Sequence, residues 1–144
     1  MDRKTLMQYR ALKKEIAGLD ATIERLRKQL DSVPTIMGKV QSSERDYPYI
    51  RTHVAVEMQD PEEMDRIRRL IRLKERRKLQ AFEAMIRIET FIHSIQDSTD
   101  RQIFELVYID GLTHNMVADS LFMERSSVSK RIDRVLQNSP NSPK

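Results

Sequence analysis

The chain has 144 residues, a third of them charged, with no Cys, no Trp and only three Gly. That composition fits one helix-rich domain or two small ones, and it excludes disulfides and thiolate metal sites. The net charge of +4 is unevenly placed: residues 1–31 and 61–96 each carry +3, while 32–60 and 97–144 each carry −1.

Residues 2–31 place apolar side chains at Tyr9, Leu12, Ile16, Leu19, Ile23, Leu26 and Leu30, in steps that alternate 3 and 4. This is a heptad seam, and it predicts one long helix that needs a partner. Gly18 is its weak point, at about 1 kcal/mol relative to Ala. Residues 32–60 break the pattern with Pro34, Gly38, Ser42, Ser43 and Pro48. They read as a looped insert, in which "YIRTHVAVEM" is rich enough in β-formers for a short strand.

A second long helix is expected from Pro61 to about residue 95. Asp60 suits its N-cap, and Glu63 completes a capping-box pattern. Its seam runs Met64, Ile67, Ile71, Lys74, Lys78, Ala81, Met85, Ile88, Ile92, Ile95. Leu70, Leu73 and Phe82 are expected to cover the gap that the two lysines leave, with the lysine stems lying along it. The two seams predict an antiparallel helical hairpin or coiled coil over residues 1–96, and a connection of this length also permits pairing between chains. The basic run "RIRRLIRLKERRKL" at 66–79 reads as a solvated face, with contact to DNA phosphates as the alternative.

Asp97 or Ser98 can cap a further helix, with Asp100 in its first turn and Ile103, Phe104, Leu106, Val107 and Ile109 on its core face. Gly111 is a natural stop. Thr113 can cap a short helix to about residue 121, and a last helix is expected from about 125 to 137. Val117, Ala118, Leu121, Met123, Val128, Ile132 and Val135 or Leu136 supply a small core. The small residue at 118 and the apolar residue ten positions on have the spacing of a helix-turn-helix, whose second helix enters the major groove. The outward face of that helix offers Arg125, Ser126, Ser127, Ser129, Lys130, Arg131 and Arg134 as DNA-contact candidates. The serines and Lys130 would approach bases and the arginines phosphates. Charge reversal at Lys130 and Arg134 is expected to abolish binding without unfolding. Phe122 stands where such a turn favours Gly, and Glu124 stands where the last helix favours a Ser or Thr cap; Ser126 or Ser127 could take over the cap if the helix starts later. Residues 138–144 read as a disordered tail.

"DRQIFELVYIDGLTHNMVADSL", an apolar turn residue and "SSVSKRIDRVL" resemble region four of bacterial sigma factors. They resemble still more closely the phage late-gene transcriptional activators of the RinA and ArpU type. The order of parts is similar too: a coiled-coil segment, a loop with "YPY" in "ERDYPYIRTHVAVE", a long charged helix and the C-terminal unit. The resemblance implies an all-α, sequence-specific DNA-binding regulator of phage or prophage origin. The absence of Cys and of an apolar leader fits a cytoplasmic place in a bacterial host, the two narrow seams with their long connection favour a homo-oligomer, and double-stranded DNA is the expected partner, with RNA polymerase as a second candidate. Two other readings stay open: the small DNA-recognition subunit of a phage packaging terminase, and a helical adaptor that docks RNA polymerase. No cofactor, metal site, membrane span or catalytic motif is expected: His53, His93 and His114 are far apart, and no glycine-rich phosphate loop or HExxH occurs.

Overall fold

A computed structural model describes residues 1–41 and 53–139, with the side chains of 36–57 outside the description. The chain is mostly helical: α1 (Arg3–Met7), α2 (Tyr9–Asp31), α3 (Pro61–His93), α4 (Ser98–Phe104), a π-helical turn (Glu105–Ile109), α5 (His114–Leu121) and α6 (Arg125–Gln137). Among the described residues no helix is long and apolar enough to cross a membrane. Contacts divide the chain into two units, Met1–Leu19 with Arg77–Lys144, and Asp20–Arg76.

In the second unit, Ile23, Leu26 and Val33 bury against Ile67 and Ile71, with Leu30, Met64 and Leu70 half-buried around them. Arg27 reaches Glu75 at 2.6 Å. The Asp60 carboxylate accepts from the N–H groups of Glu62 and Glu63 at 3.1 and 3.5 Å, which caps α3 with Pro61 at its first position. The reciprocal half of the capping box is replaced, because Glu63 turns to Arg66 at 2.5 and 3.0 Å. The insert differs from a lone strand in a linker. β1 (Thr35–Gln41) and β2 (His53–Gln59) form an antiparallel pair, with Thr35 opposite Gln59 and Gln41 opposite His53. Pairing gives the backbone polar groups of "TIMGKVQ" partners that neither strand has alone. The "YPY" stretch, and the tail from residue 140, lie outside the described residues.

In the first unit, the helix expected from residue 2 is interrupted at Gln8. Its N–H bonds the Thr5 carbonyl at 3.1 Å and its carbonyl accepts from Leu12 at 2.8 Å. Leu6, Tyr9 and Leu12 bury against Ala81, Ile88, Ile92 and Ile95. Glu15 takes the Arg77 guanidinium in a two-pronged bond at 2.5 and 2.8 Å, and the Tyr9 hydroxyl donates to Glu89. Within this unit, partners on α3 therefore fall in number as those on α2 rise. Burial, seconded by the Glu89 carboxylate, pushes the Tyr9 phenol up to about 12. The seam positions of α3 are occupied as the spacing predicts, with Lys74 and Lys78 half-buried. Leu73 and Phe82 do not close over the lysine gap. Both are exposed, and Phe82 forms an outward ledge with Leu79 and Ile86.

Packing does not separate near residue 97. α3 ends at His93, but Ile92 and Ile95 share one core with Ile103, Phe104, Tyr108, Val117, Val128 and Ile132. Of the expected core face, Ile103 and Phe104 are fully buried, while Leu106, Val107 and Ile109 are half-buried. Tyr108 takes the inward place, its ring centroid 5.4 Å from that of Phe104.

Gly18 has an ordinary helical backbone and nothing within 4 Å of where a Cβ would sit. Gly18→Ala is therefore expected to raise stability by about 1 kcal/mol, through lower chain entropy in the unfolded state. A urea midpoint that fell instead would contradict an unobstructed helical site at this position.

Candidate nucleic-acid interface

The C-terminal corner is built from local signals. The Asp97 carboxylate accepts from the Asp100 N–H at 2.9 Å and starts α4. The helix then widens: the Asp110 N–H bonds the Glu105 carbonyl five residues back, at 3.0 Å, and Gly111 follows with φ +75°. Thr113 caps α5 by accepting from the Met116 N–H at 3.2 Å. Val117 and Ala118 bury on α5, and Val128, Ile132 and Leu136 bury on α6. The small side chain at 118 allows the two helices their close approach. Glu124 precedes α6 with extended backbone and no side-chain cap, and neither Ser126 nor Ser127 takes over, since α6 begins at Arg125. The first N–H groups of α6 thus have no capping side chain.

Phe122 decides the shape of the turn. It sits in the left-handed region at φ 54° and ψ 49°, the conformation a glycine would adopt at no steric cost. Its side chain is 96% exposed, so no burial offsets the strain. Phe122→Gly is expected to stabilise the protein by about 1 kcal/mol, read as a higher urea midpoint. A lower midpoint would mean that the phenyl ring contributes to the fold after all.

The seven sequence-predicted contact residues divide into two groups. Arg125, Ser126 and Lys130 are exposed and Ser127 is half-exposed. Neither Arg125 nor Lys130 forms an ion pair among the described residues. The other three candidates turn back to the protein. The Ser129 hydroxyl meets His114 Nδ1 at 3.0 Å and ties α6 to the start of α5. Arg131 donates to Asp100 at 2.9 Å and faces Asp97 at 3.4 Å, and Arg134 donates to the other Asp100 oxygen at 3.2 Å. Asp100 is only 4% exposed, and between the two guanidiniums it is a structural anchor for α6. Arg134 keeps 60% of its side chain in solvent and Arg131 keeps 35%. Arg3 of α1 pairs with Asp133 on the opposite flank. The cationic display on α6 therefore narrows to Arg125 and Lys130, with Arg134 partly available. The acids that accomplish this are visible in the sequence, but nothing local links Asp100 to residues more than thirty positions away.

The basic run at 66–79 is divided in the same way. Arg66, Arg68 and Arg77 pair with Glu63, Asp65 and Glu15, whereas Arg69, Arg72 and Arg76 are exposed. Among the described residues no cluster of three or more His, Asp or Glu side chains could hold a metal ion.

Comparison with protein-family models, with curated proteins and with solved structures gives no match. The functional reading therefore rests on the geometry of this corner and on the sequence resemblance.

Proposed function

We propose that the chain is a sequence-specific DNA-binding transcriptional regulator of phage or prophage origin, acting on double-stranded DNA in the bacterial cytoplasm. In this reading, the paired α2 and α3 form an antiparallel helical hairpin, and α5 with α6 form a helix-turn-helix of sigma-region-four type. The observation that carries it is the outward face of α6. Arg125, Ser126 and Lys130 stand free on a helix fixed from beneath by Val128, Ile132 and Leu136. Such a helix offers side chains to base edges and an uncapped, positive end to a phosphate. The shortfall in overall charge is met in part by placement: three of the seven acids between residues 97 and 144, Asp97, Asp100 and Asp133, are spent on Arg131, Arg134 and Arg3.

The test is anisotropy titration of the full chain against duplexes selected from random sequence. Lys130→Glu and Arg125→Glu are each expected to weaken the selected duplex tenfold or more while leaving the urea midpoint in place, about 1–3 kcal/mol per specific contact. Unchanged affinity in both variants would overturn the assignment. An oligomer fits the ledge of Leu79, Phe82 and Ile86, which leaves three apolar side chains about half in water.

A second reading, an adaptor that docks RNA polymerase, draws on Phe122. A strained backbone that displays an exposed phenyl suits an anchor for a protein partner. Loss of polymerase capture in Phe122→Ala, with DNA binding absent from the wild type even at low salt, would favour it.

A further inference from the structure

Arg10, Lys13 and Lys14 lie at i, i+3 and i+4 on one exposed face of α2. None of them forms an ion pair among the described residues, whereas Arg3, Arg131 and Arg134 at the C-terminal corner are each matched to an acid. With Ala17 and Ile109 they line a shallow depression of about 470 Å³, in which Asp110 is the one acid on the rim. Arg10 also borders the neighbouring cleft of about 380 Å³, shared with Tyr108, Gly111 and His114.

The Arg10 guanidinium, the movable end of its side chain, lies against Gly111. Gly111 alone among the described glycines has a positive φ, so it serves the turn. Two residues on, Thr113 caps α5, and His114 is hydrogen-bonded to Ser129 of α6. Arg10 thus lies at the loop that feeds the first helix of the corner, whose His114 is bonded to the second. In a DNA-reading unit of this kind the first helix crosses the phosphate backbone while the second lies in the groove.

We propose that Arg10, Lys13 and Lys14 form a second, sequence-independent contact surface for the backbone phosphates of the duplex that α6 reads. The proposal rests on the reading of α6 given above. It assigns the N-terminal basic segment to affinity and α6 to specificity. Duplex DNA is the occupant because three unmatched cations in a row suit a line of phosphates, while the apolar lining between them is confined to Ala17 and Ile109.

The test compares the wild-type chain with Arg10→Gln/Lys13→Gln/Lys14→Gln, on a selected and a scrambled duplex, from about 50 to 300 mM KCl. All three side chains are exposed, and an unchanged urea midpoint checks that folding is retained. The slope of log K against log[salt] is expected to fall by about 2–3, because each phosphate contact contributes about 0.9. Affinity should drop by a similar factor on both duplexes, so that the specificity ratio stays. A control, Arg69→Gln/Arg72→Gln/Arg76→Gln, removes the same charge from α3 and is expected to change the slope by less. A slope unaltered in the α2 variant, a loss confined to the selected duplex, or an equal loss in the control would each overturn the proposal while leaving the α6 assignment standing. If the wild-type chain bound no duplex even at low salt, the reading of α6 itself would fail, and this inference with it.

Discussion

Phe104→Ala is expected to cost about 3–5 kcal/mol, the largest effect of any single substitution considered for this protein. Phe104 is completely buried. Its ring meets Phe91 edge-on at 6.1 Å and Tyr108 at 5.4 Å, so α3, α4 and the π-helical turn converge on it. Truncation removes the transfer free energy of the ring, opens a cavity and breaks two aromatic contacts worth about 0.5–1.5 kcal/mol each. The same core holds Val117, Val128 and Ile132, so the display of α6 should be lost together with α4. Urea denaturation followed by circular dichroism reads the effect, with Phe82→Ala as the internal reference. Phe82 is 49% exposed, and its truncation should cost only about 1 kcal/mol. Equal losses for the two phenylalanines would contradict the packing described here.

Asp100→Ala should act on stability and on DNA affinity in opposite directions. Its carboxylate sits in the first turn of α4, nearly excluded from water, and takes hydrogen bonds from Arg131 and Arg134. Losing it should cost about 2–3 kcal/mol, the scale of hydrogen bonds to a charged group. The cost stays below that of breaking a fully buried pair, because the arginines left behind can return to solvent. Those released guanidiniums then join the exposed face of α6, and the salt slope for non-specific duplex should steepen by about 1–2. Salt-dependent titration beside a denaturation curve separates the two effects; a stability loss without a steeper slope would show that the arginines find other acids. The same geometry corrects the expectation that charge reversal at Lys130 and Arg134 is equally benign. A carboxylate at position 134 would face Asp100, so Arg134→Glu disturbs the anchor, whereas Lys130→Glu touches only the surface.

What could be read in advance followed local rules. The seams of α2 and α3 are legible because burying one stripe of a helix imposes a 3–4 spacing, and Ile67, Ile71, Ala81, Ile88 and Ile92 are buried where that spacing puts them. Asp60, Asp97 and Thr113 cap their helices because a short acceptor before a helical run has few better uses. The tight pairing of Val117 and Ala118 with Val128 and Ile132 follows from residue size at fixed offsets. The unread features depend on distant partners or on small energy differences. Asp100 looks like an ordinary first-turn acid until α6 folds across it. The π-helical turn at Glu105–Ile109 has no sequence code beyond a run that could equally be α-helical. The strand Thr35–Gln41 is hidden by Gly38 and Lys39, and pairing with His53–Gln59 rather than propensity defines it. Leu73 and Phe82 occupy flanking positions, where sequence spacing alone does not decide between core and solvent.

The ledge of Leu79, Phe82 and Ile86 gives the molecule two responses to its ionic surroundings. Any assembly that covers those side chains is driven by exclusion of water and tightens in sulfate or phosphate. The phosphate contacts proposed for Lys130 and for Arg10, Lys13 and Lys14 would be displaced by the same ions. On the proposed function, raising the concentration of a kosmotropic salt should therefore push the protein from a nucleic-acid-bound form towards self-association, and dilution should reverse the exchange.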